Sequence, residues 1–138
     1  TAEECAALRA IIDAGAQPSQ LFSGTQGPEY RSSMSAHMGD GTLIAEINAR
    51  IVALMGADGA TGEPIQGQRY TKGQEYKPHC DYARFSVPPV EGTILLWNNL
   101  LPDGAPNENT LHAAKPVREG VKYVLTKWFR ERAWKPKA

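Results

Sequence analysis

From Glu63 onward the chain breaks into short apolar or alternating runs punctuated by Gly, Pro and Asn: EPIQGQRY, QEYKPHCDY, FSVPPV, GTILLWN, TLHAAKPV and VKYVLTKWF. Runs this short with such punctuation predict strands. Upstream the spacing is helical. Thr1 with Glu4 three residues later resembles a capping box, and Leu8, Ile11, Ile12 and Gly15 follow on one helical face. A second helix is predicted from about Thr42 to Met55, with Ile44, Ile47, Ile51 and Leu54 as its apolar stripe and Gly56 to end it. Between them, QPSQLFSGTQGPEYRSS reads as a polar loop with a short extended piece near Tyr30–Met34. Two helices followed by a series of strands imply an α+β fold in which the helices back a sheet.

A length of 138 residues suits one domain, and 41% hydrophobic with 22% charged residues is near the globular average, which argues against disorder. Fifteen basic and fifteen acidic residues cancel. That balance leaves no electrostatic footprint for nucleic acid or an anionic membrane, and the basic run KWFRERAWKPK reads as a solvated strand end and tail. No apolar run approaches a membrane span. Cys5 and Cys80 are too far apart for a CxxC site and too few for a disulfide framework, so a reducing compartment is expected. We place the chain in the cytoplasm; a removed leader is compatible with a sequence that opens on Thr1.

In KPHCDY, His79 and Asp81 stand two apart in a predicted strand, so they share one face while Cys80 points to the other. A surface or hydrogen-bonded His–Asp pair satisfies that spacing, and so does a metal. Three histidines occur, and His37, in the polar stretch SAHMGD, is assigned no role. His112, in TLHAAKPV, could complete two histidines and a carboxylate on one side of a metal. That set is favoured by non-haem Fe(II) oxygenases but also describes catalytic zinc.

Alternation along the last strand puts Lys122, Val124, Thr126 and Trp128 on one face and Tyr123, Leu125, Lys127 and Phe129 on the other. Whichever face covers the core, one lysine points inward, and a buried ammonium needs an anion. A carboxylate ligand, an internal acidic partner or a snorkelling side chain would each serve.

YTKGQEYKPHCDY, followed by GTILLWNNLLPDGAPNENTLHAAKPVREGVKYVLTKWFRER, resembles the catalytic domain of the prolyl 4-hydroxylases, within the 2-oxoglutarate/Fe(II) dioxygenases. The likeness runs from about Arg31 to Arg132. It rests on an ordered combination: the HxD, the WNNLLPDG stretch, a histidine, a lysine ten residues later, then K-W. It implies a double-stranded β-helix, or jelly roll, backed by the N-terminal helices. One dioxygenase domain would then fill 1–138, with helical support over about 1–60 and the barrel over about 61–132. The resemblance makes His79, Asp81 and His112 the iron ligands. Lys122 and Tyr70 would bind the distal carboxylate of 2-oxoglutarate, and Trp128 would line that pocket. Arg31 and Ser33, in YRSS, and Glu63 would line the substrate groove.

The implied reaction consumes 2-oxoglutarate and O2, releases succinate and CO2 and hydroxylates a C–H bond, with ascorbate as reductant. Asp81 argues against a halogenase, which leaves that coordination position open for halide. Hydroxylation of peptidyl proline is the leading expectation. A free amino acid or other small molecule is the alternative substrate, and a non-catalytic barrel binding module the alternative class. Gly73 and Gly92 read as turn glycines, Trp97 and Trp134 as packing residues, Cys80 as a small core residue, and Asn98 and Asn99 as turn caps.

One departure from the family stands out. Asp81 and His112 are thirty-one residues apart, where the resemblance implies a far longer stretch with a further core strand. About six strand candidates follow Thr61, too few for an eight-stranded jelly roll. We therefore expect residues to be missing between Tyr82 and Phe85, a mobile lid accounting for part of them. An over-long Cα step would then fall near Ala83 or Arg84, since a real trans peptide spans about 3.8 Å. A continuous chain there would make the loss a true deletion and favour the binding-module reading.

Overall fold

Thr1 accepts the amide of Glu4, and Glu4 reaches back to the N-cap, so the capping box sets helix α1, Ala2–Gly15. Leu8 and Ile12 are its buried residues. Helix α2, Thr42–Met55, ends on Gly56 with φ 59°, a left-handed turn that glycine adopts without a Cβ penalty. Ile44 is buried, and Ile47 and Ile51 pack on the core. Leu54, expected in the same stripe, is instead exposed, lying one turn beyond Ile51 at the end of the helix. This is a computed structural model, and it describes residues 1–20, 29–79, 87–110 and 112–135.

Six strands are assigned among those residues: β1 Gln17–Pro18, β2 Met34–His37, β3 Gln66–Tyr70, β4 Tyr76–His79, β5 His112–Ala114 and β6 Lys122–Thr126. An antiparallel sheet has the order β1-β2-β3-β6, and β4 pairs antiparallel with β5 in a second sheet. Helices and antiparallel sheets give the α+β class expected. The helical face of the larger sheet carries the core of Leu8, Ile12, Ala36, Met38, Ile44 and Ile65. Asp13 fastens α1 to that face by accepting hydrogen bonds from Arg69 Nη1 (2.8 Å) and Tyr123 Oη (2.8 Å).

Three expectations need correction. The extended piece near Tyr30–Met34 lies further on, at Met34–His37, where it pairs with β3. SAHMGD is consequently not a loop throughout: Ala36 and Met38 are buried and His37 ends a strand. GTILLWN and the described part of FSVPPV form no strand among the described residues, and Ile94, Leu95, Leu96 and Trp97 are exposed. Strand propensity needs a neighbour to become a ladder, and no described strand pairs with this run. The join expected between Tyr82 and Phe85, with its long Cα step near Ala83 or Arg84, lies outside the described residues, as does Cys80.

Gly67 faces the core from the middle of β3. A Cβ there would run into Ile12 Cγ1 and come within 2.7 Å of Met38 Sδ. Ile12 is nearly inaccessible and cannot yield, so Gly67→Ala should destabilise the fold by about 1–3 kcal/mol through overpacking. Urea unfolding checks this, and an unchanged midpoint would show that α1 does not lie tightly on β3.

Candidate metal and co-substrate site

Strand register builds the first half of the site. In the β4–β5 pair, His79 is the direct partner of His112 across the ladder. The sequence separates them by thirty-three positions, and antiparallel pairing brings their backbones side by side. Asp81, the third expected ligand, lies outside the described residues. His112 is half-buried at the start of β5, with Nδ1 3.2 Å from the carbonyl oxygen of Thr110. A proton on Nδ1, donated to that carbonyl, leaves the imidazole lone pair on Nε2, which is how metal-binding histidines are usually oriented.

Trp97 was expected only to pack, yet its ring lies 5.0 Å from the His112 ring, centroid to centroid, tilted by 58°. Its Nε1 donates to Asn99 Oδ1 (2.9 Å). The paired asparagines behave as the capping residues the sequence indicated. Asn98 Oδ1 accepts the Leu100 amide, and Asn99 Oδ1 also accepts from the Thr110 hydroxyl. This network holds the loop that sets the indole beside His112. Nothing in the local sequence signals the contact, which arises between a loop and a strand.

The second half lies on the larger sheet. Tyr70 is directly opposite Lys122 in the β3–β6 register, and the ammonium sits 4.4 Å from the centre of the Tyr70 ring. Tyr70 is only 4% exposed, so the cation rests on a buried aromatic face. Burial lowers the Lys122 pKa, and among the described residues no carboxylate pairs with it. Gln68, which alternation puts on the same face, donates from Nε2 to Thr126 Oγ1 (2.9 Å). Sequence reading had passed over Gln68, although the alternation Gln66–Gln68–Tyr70 does point it that way.

Lys127 resolves the choice between the two lysines. It points to the other face, donates to the backbone carbonyl of Glu63, and lies 5.5 Å from the Phe129 ring centre. Burial again lowers its pKa, with Glu63 acting in the opposite direction. Among the described residues, Lys122 is therefore the one of the two that makes no ion pair or hydrogen bond to a neighbouring oxygen.

The remaining expected residues are spread along the sheet. Arg31 donates through Nε to the buried Ser33 hydroxyl (2.9 Å), and its guanidinium lies 4.7 Å from the Tyr76 ring centre. Tyr30 meets Tyr76 edge to face at 6.0 Å. Trp128 follows β6 and is partly exposed, with the Arg130 guanidinium 5.5 Å from its ring centre. Glu63 sits at the end of β3 remote from Tyr70, where its amide donates to the carbonyl of Trp128 and its carboxylate takes Arg130.

No family model matches the chain. Curated relatives do. Prolyl 4-hydroxylase subunit alpha-1 of Gallus gallus is 31% identical over 143 aligned residues, covering 75% of this chain and 28% of the relative. The Homo sapiens subunit alpha-1 gives 31% identity with 75% and 27% coverage. Prolyl 4-hydroxylase subunit alpha-3 of Rattus norvegicus is 46% identical over 50 residues, 36% of this chain and 9% of the relative. The chain is prolyl 4-hydroxylase-like. It spans little more than a quarter of the length of the alpha-1 subunits it matches. Among solved structures, a viral collagen prolyl hydroxylase from Paramecium bursaria Chlorella virus-1, determined as its 2OG complex, superposes with a TM-score of 0.58. That match covers 93% of this chain and 90% of the viral one at 20% identity, so the likeness is one of fold. Among the described residues no helix is long and apolar enough to cross a membrane.

Proposed function

We propose that this prolyl 4-hydroxylase-like chain is an Fe(II)- and 2-oxoglutarate-dependent hydroxylase of prolyl residues in a peptide or protein, with residues 1–138 serving as one jelly-roll dioxygenase domain. The observation that carries the reading is Lys122. A partly buried ammonium on a buried tyrosine face, with no carboxylate among the described residues to offset its desolvation, is a site prepared for an acidic ligand.

His79, Asp81 and His112 would hold the iron. The donor set fits: two imidazoles whose backbones are paired in register, one of them with Nδ1 committed to a carbonyl, and a carboxylate two residues from the first. When bound, the iron with 2-oxoglutarate and O2 supplies the oxidising power for C–H hydroxylation, releasing succinate and CO2, with ascorbate as reductant. The chain's own work is positional. Lys122 and Tyr70 take the distal carboxylate of 2-oxoglutarate and fix which end of it points toward the histidines. Thr110 and Trp97 hold the His112 ring in place. Trp128 borders the co-substrate pocket, while Arg31, Ser33 and Glu63 are assigned to the peptide groove.

Succinate release tests the reading. With Fe(II), 2-oxoglutarate and ascorbate, proline-containing peptides should stimulate succinate formation well above the peptide-free rate, and free amino acids should not. Stimulation by a free amino acid alone would move the substrate to the small-molecule class. Binding of 2-oxoglutarate without any succinate would point to a non-catalytic barrel.

A further inference from the structure

Arg31, Ser33 and Ser35 alternate along the extended chain that runs into β2, so their side chains share one face. Arg31 donates through Nε to Ser33 Oγ (2.9 Å) and through Nη2 to Ser35 Oγ (3.3 Å). A third hydroxyl closes the cluster. Ser19 Oγ lies 2.9 Å from Ser33 Oγ and 2.6 Å from Ser35 Oγ, and the Ser19 amide donates to the carbonyl of Ser33. Ser19 follows β1, the partner of β2, in a stretch that the sequence alone presents as a polar loop. Each hydroxyl has one proton to give and two lone pairs to accept with. Ser33 and Ser35 can therefore accept from Arg31 and both donate to Ser19, so the bonds do not compete.

The serines are neutral, and among the described residues no carboxylate pairs with Arg31. The guanidinium keeps its full charge beside the Tyr76 ring, whose centre is 4.7 Å away. Tyr76 is also the β-bridge partner of Arg31 and stands three residues before His79 on β4. The cation is thus anchored on the strand that carries the first expected iron ligand. Its two bonds to serine leave both Nη1 hydrogens and one on Nη2 without an oxygen acceptor among the described residues. A prolyl peptide complements such a donor fork, because each proline offers a carbonyl and no N–H.

We propose that Ser19 and Ser35 are positioning residues for Arg31: with Ser33 they lock the guanidinium plane, so that its remaining N–H groups meet main-chain carbonyls of a prolyl peptide. This role rests on the prolyl hydroxylase reading and adds to it two residues that act through Arg31. A long side chain loses rotamer freedom when it takes a ligand, and one already fixed loses less. Removing a hydroxyl therefore weakens the hold on the peptide, while the Lys122 and His112 positions keep their own hydrogen bonds and ring contacts.

The test compares Ser35→Ala, Ser19→Ala and the hydroxyl-keeping Ser35→Thr with the wild type, using an uncharged proline peptide. Ser35→Ala should raise the peptide KM about tenfold, with kcat and the KM for 2-oxoglutarate changed less than about twofold. Ser19→Ala should shift the peptide KM in the same direction, and Ser35→Thr should restore it. A second readout needs no turnover: the Arg31 Nε–H signal in proton–nitrogen NMR should exchange faster with water in both alanine variants at an unchanged urea midpoint. Ser19→Ala, which lies outside the strands, decides the matter if Ser35→Ala does not fold. A peptide KM unmoved in a peptide-stimulated enzyme overturns the positioning role and leaves the hydroxylase reading standing. So does a joint loss of peptide KM, kcat and 2-oxoglutarate KM, or an unchanged Arg31 Nε–H exchange. A wild-type chain that no prolyl peptide stimulates overturns the hydroxylase reading, and the positioning role with it.

Discussion

Replacing His112 by alanine should remove Fe(II)-dependent succinate formation, by at least about a hundredfold, while the fold survives. Losing a partner one bond removed from a metal already costs roughly 10–100-fold, and losing one of three ligands costs more. The imidazole sits at the edge of a short strand with Nδ1 on a backbone carbonyl, so its truncation opens no core cavity. The readout has two parts. Bound iron measured after desalting should fall with turnover, whereas the urea midpoint should move by less than about 1 kcal/mol, as for substitutions outside the core. Trp97 adds an internal control, because its fluorescence should change when the neighbouring ring goes. Near-normal succinate production by His112→Ala would show that the β4–β5 pair does not carry the metal.

How far the sequence reaches differs between the two halves of the molecule. Both helices were legible because their ends are written locally: Thr1 and Glu4 make the capping box, and Gly56 takes a left-handed conformation. The strands holding Tyr70 and Lys122 were legible from alternation. The resemblance then named the pair that register places opposite each other. GTILLWN has every local mark of a strand and is not one among the described residues. A strand is a property of at least two segments, and no described strand pairs with this one. The same limit hid Trp97, whose approach to His112 accompanies hydrogen bonds that Asn98 and Asn99 accept, one of them from Thr110, across the intervening loop. Burial of Gln68 could have been read from the strand period, but polar character argued the other way until Thr126 appeared as its partner.

Lys122→Met should separate ligand binding from folding more sharply than any other substitution. The methionine keeps most of the side chain's length and apolar body over Tyr70 while removing the charge. Truncating one member of a desolvated charge pair costs roughly 2–5 kcal/mol. The affinity for 2-oxoglutarate should therefore fall by about thirtyfold or more, with Fe(II) binding little changed. The ligand-free fold should respond in the opposite sense. Burial lowers the Lys122 pKa from 10.5, so the folded state carries the desolvation cost of the ammonium below that depressed value. The cost is released as pH rises through the folded pKa toward 10.5, and the wild-type chain should gain relative stability across that window. Lys122→Met lacks the charge at every pH, so its urea midpoint near pH 7 should equal or exceed that of the wild type and lose this pH dependence. The charge that favours 2-oxoglutarate is present below the same pKa, so wild-type affinity should weaken as the pH climbs past it. Equal loss of iron and 2-oxoglutarate, or a lowered midpoint, would make Lys122 a structural lysine and leave the acidic-ligand site without its anchor.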